Sequence, residues 1–213
     1  YCLPAIRLSA ISNHKVIYVF THDSIALGED GITHQPIEQL FILRSMPNLL
    51  VFRPADYNDL VGCYEYMFQH SGPSCICLTR QDITNMEQTN KMEVSQGGYI
   101  IYETEPHFEI IVLATGSELY TCYEVIKRLE SNLDKKCRLV SIPCLELFEE
   151  QNIEYKDMVL PKDKLIFSVE TGCTIGWYKY AQYCIGIDTY GASGKKDDLL
   201  KYFKLDIDGI YNQ

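Results

Sequence analysis

Lys15-Val-Ile-Tyr-Val-Phe20, followed at once by Thr21-His-Asp-Ser-Ile-Ala-Leu-Gly-Glu-Asp-Gly-Ile-Thr-His-Gln-Pro36, decides how this 213-residue chain folds. The first stretch is apolar and β-branched and reads as a buried strand. The second is polar, with histidines His22 and His34, carboxylates Asp23, Glu29 and Asp30, and hydroxyls Ser24 and Thr33. In open α/β sheets, ligands collect at the carboxyl ends of strands, so a polar loop at that point is a candidate site. Gly28 and Gly31 let the backbone fold back where a side chain would clash. The bend is expected to gather His22, Asp30 and His34 around one small volume. Pro36 suits the first turn of a following helix. The competing reading is a solvated turn with incidental histidines.

The chemistry of the loop suits a polyhydroxylated ligand. Imidazole donates, accepts and moves protons near neutral pH, and aspartate accepts from sugar hydroxyls. No metal site is expected. His22 and His34 lack the i, i+4 spacing of helical zinc ligands, and there is no Cys-x-x-Cys.

Outward from the loop, Ala5–Ile11 reads as the end of a helix and Pro36–Ser45 as a helix. Leu49–Phe52 and Ser74–Thr79 read as strands. Asp56 is expected to cap a helix running to about Gln69. This βαβαβ order predicts a parallel sheet with crossover helices. Residues 82–96 are polar, without a core run, and read as a linker. Beyond it, Gly97–Tyr102, Glu109–Ala114, Cys137–Ile142, Leu165–Ser168 and Ile185–Asp188 are expected strands. Ser117 is expected to cap a helix to about Asn132, with Glu118 in its first turn. Helical segments are expected near 145–151, 176–183 and 196–203. The fold class is therefore α/β in two units, a partial parallel sheet and a second, mainly parallel one.

A net charge of −10 argues against nucleic-acid or anionic-membrane partners. No stretch approaches the ~18 consecutive apolar residues of a membrane span. The nine cysteines are scattered, and Cys75 and Cys77 share one face of an apolar run, so they read as core thiols in a reducing compartment.

The Thr21–Pro36 segment closely resembles the transketolase family of thiamine diphosphate enzymes. That pattern reads Thr-His-Asp-Ser-Ile-Gly-Leu-Gly-Glu-Asp-Gly-Pro-Thr-His-Gln-Pro, and the chain departs from it only at Ala26 and Ile32. Further matches follow in family order: Arg53-Pro54-Ala55-Asp56, Leu78-Thr79-Arg80-Gln81, Gly97-Gly98-Tyr99, Ala114-Thr115-Gly116-Ser117-Glu118, Glu170-Thr171-Gly172 and Tyr190-Gly191-Ala192-Ser193. The resemblance implies the latter part of a pyrimidine-binding domain over residues 1–88 and a transketolase C-terminal domain over 97–213. It also implies that the diphosphate-binding domain, the metal ligands and the glutamate that activates the aminopyrimidine lie outside this chain. On that expectation the isolated chain is inactive, and its function belongs to a parent protein.

The resemblance implies roles residue by residue. His34 lies beside the reacting carbonyl, where it stabilises developing charge. Asp30 reads the hydroxyl next to the keto group, or else only holds the Gly28–Gly31 bend. His22 and Arg80 contact the sugar phosphate, although a surface ion pair is the plainer reading of Arg80. Tyr1 forms an aromatic wall of the aminopyrimidine pocket. Glu170–Gly172 and Tyr190–Ser193 read as turns and packing, and Trp177 as packing or interface. The implied reaction transfers a two-carbon ketol unit from a ketose phosphate to an aldose phosphate, in the pentose phosphate pathway. It uses thiamine diphosphate and a divalent metal, magnesium or calcium, in a cytoplasmic homodimer. Deoxyxylulose-phosphate synthase and E1 dehydrogenases are disfavoured by His22. Dihydroxyacetone synthase is harder to separate. The chain's end, Ile210-Tyr-Asn-Gln213, lacks a peroxisomal signal and weighs mildly against it. A noncatalytic assembly module is the alternative outside the enzymes.

Overall fold

A computed structural model describes residues 1–104 and 107–213. Helix α1 (Leu3–Ile11) buries Ile6 and Ala10 and leads into strand β1 (Ile17–Thr21). After the polar loop come α2 (Gln39–Arg44), β2 (Leu50–Phe52), α3 (Tyr57–Gln69) and β3 (Ser74–Leu78). The three strands are parallel in the order β1-β3-β2, with Phe20 opposite Cys77. The crossover order read from the sequence therefore builds the expected parallel sheet. Asp56 caps α3 as its position predicts, accepting from the Asp59 backbone N–H at 3.1 Å. Cys75 and Cys77 pack with Ile6, Leu40 and Leu43, and burial pushes the Cys77 thiol up to about 12.

The second unit holds β4 (Tyr99–Glu103), β5 (Ile110–Ala114), α4 (Glu118–Leu133), β6 (Cys137–Ser141), α5 (Leu145–Glu150), α6 (Ile153–Val159), β7 (Leu165–Val169), β8 (Tyr183–Ile185), α7 (Lys196–Tyr202) and α8 (Ile207–Tyr211). Its strands run in the order β4-β6-β5-β7-β8, with only the β4–β6 pair antiparallel. The two sheets share one apolar core. Phe52, Cys63 and Met67 from the first unit join Tyr99, Leu119 and Leu147 from the second in a single buried cluster.

The structure departs from the sequence reading at several elements. The helix expected from Pro36 starts only at Gln39, because the Gln39 side chain accepts from the Ile37 backbone N–H at 2.8 Å and holds a turn ahead of it. The helix expected over 176–183 is a single 3-10 turn, Trp177–Lys179, and Tyr183 already starts β8. Helices α6 and α8 were not expected. Each begins at a short polar cap, Asn152 or Asp206, whose side chain accepts from the backbone three residues on. Ser117 stands at the start of α4 but does not cap it; its hydroxyl donates to Glu118 Oε1 at 2.7 Å.

Residues 82–96 are not the coreless stretch their polarity suggests. Val94 is fully buried, and Thr89 and the Met86 backbone N–H both donate to Asp56 Oδ2, at 2.7 and 2.9 Å. A Cβ on Gly62 of α3 would stand 2.5 Å from the Lys91 carbonyl, so α3 and this segment touch backbone to backbone. Here a helix glycine and two side-chain hydrogen bonds fix the segment, and neither produces apolar periodicity.

Candidate active site

The loop after β1 is built by its glycines and by Gln35. Gly28 and Gly31 adopt φ of +85° and +78°, the left-handed region that side chains resist. Buried Gln35 donates from Nε2 to the Gly28 carbonyl at 2.9 Å and to the Ala192 carbonyl at 2.8 Å. The second unit thus grips the bend of the first. Ser193 Oγ adds a bond to the Glu29 carbonyl at 2.9 Å. Gly191 passes so close to Gln35 that a Cβ there would fall 1.8 Å from its Oε1. The Tyr190–Ser193 segment is packing, as read, but its packing partner is the candidate site itself.

His22 is exposed and sits at φ +64°, a conformation rare for a residue with a side chain and concentrated at functional sites. Its Nδ1 shares a 2.8 Å hydrogen bond with the Thr21 hydroxyl. His34, also exposed, repeats the device with Thr33 at 2.8 Å. In each case the preceding threonine fixes the ring and leaves Nε2 open.

These residues do not converge on one cavity. His22 and Tyr1 line a mostly apolar hollow of about 400 Å³ with Phe20, Leu40, Leu43 and Asp23. Asp30 and Arg80 line a separate, polar hollow of about 280 Å³ with Glu29, Gln81, Lys195 and Lys196. His34 lines neither. His22 and Asp30 thus line two different hollows along the same loop.

A buried charge network lies behind the loop. Arg53, with no solvent exposure, donates from Nε to Asp23 at 2.8 Å, from Nη1 to the Thr115 hydroxyl at 2.9 Å, and to the Glu118 carboxylate. Glu170 takes a two-pronged bond from Arg44 at 2.8 and 2.9 Å, plus donors from Thr115 at 2.7 Å and Trp177 Nε1 at 2.8 Å. Burial works against its charge, but Arg44 and these donors win and hold its carboxyl down to about 2. Gly116, at φ +54°, is required here, since a Cβ would stand 2.8 Å from the Arg53 guanidinium carbon. Glu118 stands in the first turn of α4 as the sequence reading has it, and it is also, with Glu170, a partner in one ion network joining the two units. The signal was the pairing of a lone Arg53 with acids far along the chain, which no local pattern reveals.

The fold and the hollows together define a two-unit α/β protein whose candidate site loop follows the first parallel strand and is clasped by a second α/β unit. The pattern described as "Transketolase, pyrimidine binding domain" matches residues 1–85, and that described as "Transketolase-like TK C-terminal domain" matches residues 97–206. The chain belongs to the transketolase family. It is 43% identical over 211 residues to Transketolase 1 of Saccharomyces cerevisiae, covering 99% of this chain and 31% of that protein. It is 40% identical to the transketolase of Aquifex aeolicus, covering 100% of this chain and 32% of that one. Among solved structures, transketolase from Leishmania mexicana superposes with a TM-score of 0.95 at 37% identity, over 99% of this chain and 31% of that one. A Pichia stipitis transketolase in complex with sedoheptulose-7-phosphate gives 0.96 at 40%, over 100% and 31%. The chain spans about 31% of the length of the curated relatives it matches.

Proposed function

We propose that this chain supplies the pyrimidine-side unit, residues 1–88, and the C-terminal unit, residues 97–213, of an enzyme that transfers a two-carbon ketol unit from a ketose phosphate to an aldose phosphate. The observation that carries the reading is the polar hollow, where the Asp30 carboxylate and the Arg80 guanidinium share one lining. A carboxylate selects a sugar hydroxyl and a guanidinium takes a phosphate, so together they suit a phosphorylated polyol. The transketolase of Pichia stipitis has been solved with sedoheptulose-7-phosphate and with xylulose-5-phosphate, which supports that substrate class here.

The larger, apolar hollow suits the ring of thiamine diphosphate. Tyr1, Phe20 and Leu43 offer flat and aliphatic walls, and Asp23 Oδ1 beside them is a buried acceptor without a partner, suited to an amino-substituted ring. When bound, the cofactor supplies the nucleophilic carbon and the electron sink for breaking and remaking the carbon–carbon bond. This chain's residues handle the substrate in the proposal. His34 donates to the carbonyl oxygen where negative charge grows. In this proposal the substrate spans both hollows: Asp30 holds the adjacent hydroxyl, Arg80 takes the phosphate in the polar hollow, and His22 reaches it from the edge of the neighbouring one. Among the described residues no three His, Cys, Asp or Glu side chains cluster to hold a metal. No helix of the described residues is long and apolar enough to cross a membrane. A divalent metal held elsewhere in the complete enzyme, a homodimer, a cytoplasmic setting and a place in the pentose phosphate pathway complete the proposal and follow from the family membership.

The test is kinetic, in the complete enzyme. Replacing His22 or Arg80 with Ala should raise KM for phosphorylated substrates by about 1–3 kcal/mol of lost charged hydrogen bonding, and much less for an unphosphorylated acceptor. Equal losses on both would remove the phosphate role. The isolated chain should show no ketol transfer, and turnover by it would overturn the division of labour proposed here.

A further inference from the structure

We propose that Lys195 and Lys196, at the start of α7, form the second half of the phosphate subsite, so that the C-terminal unit binds substrate directly. The proposal rests on the ketol-transfer reading above. Both lysines line the same hollow as Asp30 and Arg80, opposite the loop that carries Asp30. On a chain of net charge −10, this hollow gathers three cations, Arg80, Lys195 and Lys196, against two carboxylates, Glu29 and Asp30. A phosphate dianion approaching an acidic surface is drawn to such a local excess of positive charge.

The cations are also available. Among the described residues, neither Arg80 nor Lys195 forms an ion pair, and Lys196 is paired only with its exposed neighbour Asp197, at 3.8 Å. A pair that long on a solvated surface holds a lysine weakly. The backbone that carries the two lysines is held against the site loop. Gly194 and Lys196 bring their backbones against Gly28, where a Cβ would meet the Gly194 carbonyl at 3.4 Å and the Lys196 nitrogen at 3.9 Å. Ser193 and Gln35 add the hydrogen bonds between Ala192–Ser193 and the loop already described. Four of the five residues 192–196 are thereby registered on the bend that carries Asp30, and Lys195 lies between two of them. The backbone that carries the two lysines is thus held beside the loop that carries Asp30, with both lysines on the same hollow. That placement lets the C-terminal unit favour phosphorylated over unphosphorylated sugars.

The test is steady-state kinetics of the complete enzyme carrying K195Q/K196Q. KM for a ketose phosphate should rise by about 5–20-fold, and KM for the matching unphosphorylated ketose by less than about twofold. The fall of kcat/KM with added salt should become shallower, since fewer charges steer the substrate. K195R/K196R should restore most of the affinity. Equal changes on both sugars, or no change on either, overturn the proposal. Calorimetric titration of the same proteins with ribose 5-phosphate and with ribose separates this proposal from the reading it rests on. A wild-type preference for the phosphorylated sugar that K195Q/K196Q loses upholds the lysines even where no ketol transfer is detected. A wild type with no such preference, or a double variant that keeps it, overturns them.

Discussion

Asp30 and Arg53 illustrate two ways in which a charged side chain is used here. Asp30 is exposed and spends its charge on whatever enters the hollow, whereas Arg53 is sealed inside and spends its charge on the protein itself. If Asp30 accepts from the donor hydroxyl, Asp30→Ala should cost the natural epimer more rate than the wrong one. The kcat/KM ratio between epimers should then fall by up to about 10–100-fold for a contact of about 1.5–3 kcal/mol. An unchanged ratio with a general loss of activity would mean that Asp30 only holds the bend. For Arg53 the expected effect is on folding. Arg53→Met leaves Asp23 and Glu118 buried without their cation, and should cost about 3–5 kcal/mol in urea unfolding. Arg53→Lys should recover only part, since an ammonium cannot reach Asp23, Thr115 and Glu118 with the fork of a guanidinium.

The loop after β1 was legible because strand, polar run and paired glycines follow one another within a few turns of chain. The cap of α3 was legible because Asp56 precedes an amphipathic run. What escaped was whatever depends on a partner distant in sequence. Nothing near Gln35 announces that its amide will bridge to Ala192, and nothing near Lys196 says that its backbone returns to Gly28. The packed stretch 82–96 escaped for a related reason, since its order comes from Asp56 and Gly62 rather than from its own pattern. The amide of Gln35 is the pivot of this arrangement. Gln35→Ala should cost about 1–2 kcal/mol by leaving the buried Gly28 carbonyl and the half-buried Ala192 carbonyl short of a donor. Amide hydrogen exchange should quicken in residues 25–35 and 190–196 together. Faster exchange in the loop alone would show that the two segments are not coupled through Gln35.

Across the whole molecule, the joint between the units carries a pH signature. Asp59 of α3 accepts from Tyr99 of β4 at 2.5 Å and from Ser141 of β6 at 3.3 Å, and burial lifts its carboxyl from 3.8 to about 6. The folded chain therefore binds this proton more tightly than the unfolded one. The contribution of Asp59 is full below pH 3.8 and is lost as pH rises through about 6. Glu170 works in the opposite sense. Its carboxyl is held down to about 2 from 4.5, so its contribution is full above pH 4.5 and lost as pH falls through about 2. Thermal melts should show Asp59→Asn abolishing the decline in stability between about pH 4 and 6. Glu170→Gln should flatten only the acid limb. A wild-type curve level between pH 4 and 6 would mean that Asp59 is ionised throughout. Finally, the seam between the units has a bearing on how this sequence drifts. Arg53 fills the space that a methyl on Gly116 would need. A shorter side chain at 53 removes the cation and opens that space, yet the left-handed φ of +54° still resists a side chain at 116. Neither position changes without cost, so descendants of this chain are expected to keep both, and the two halves cannot diverge at independent rates.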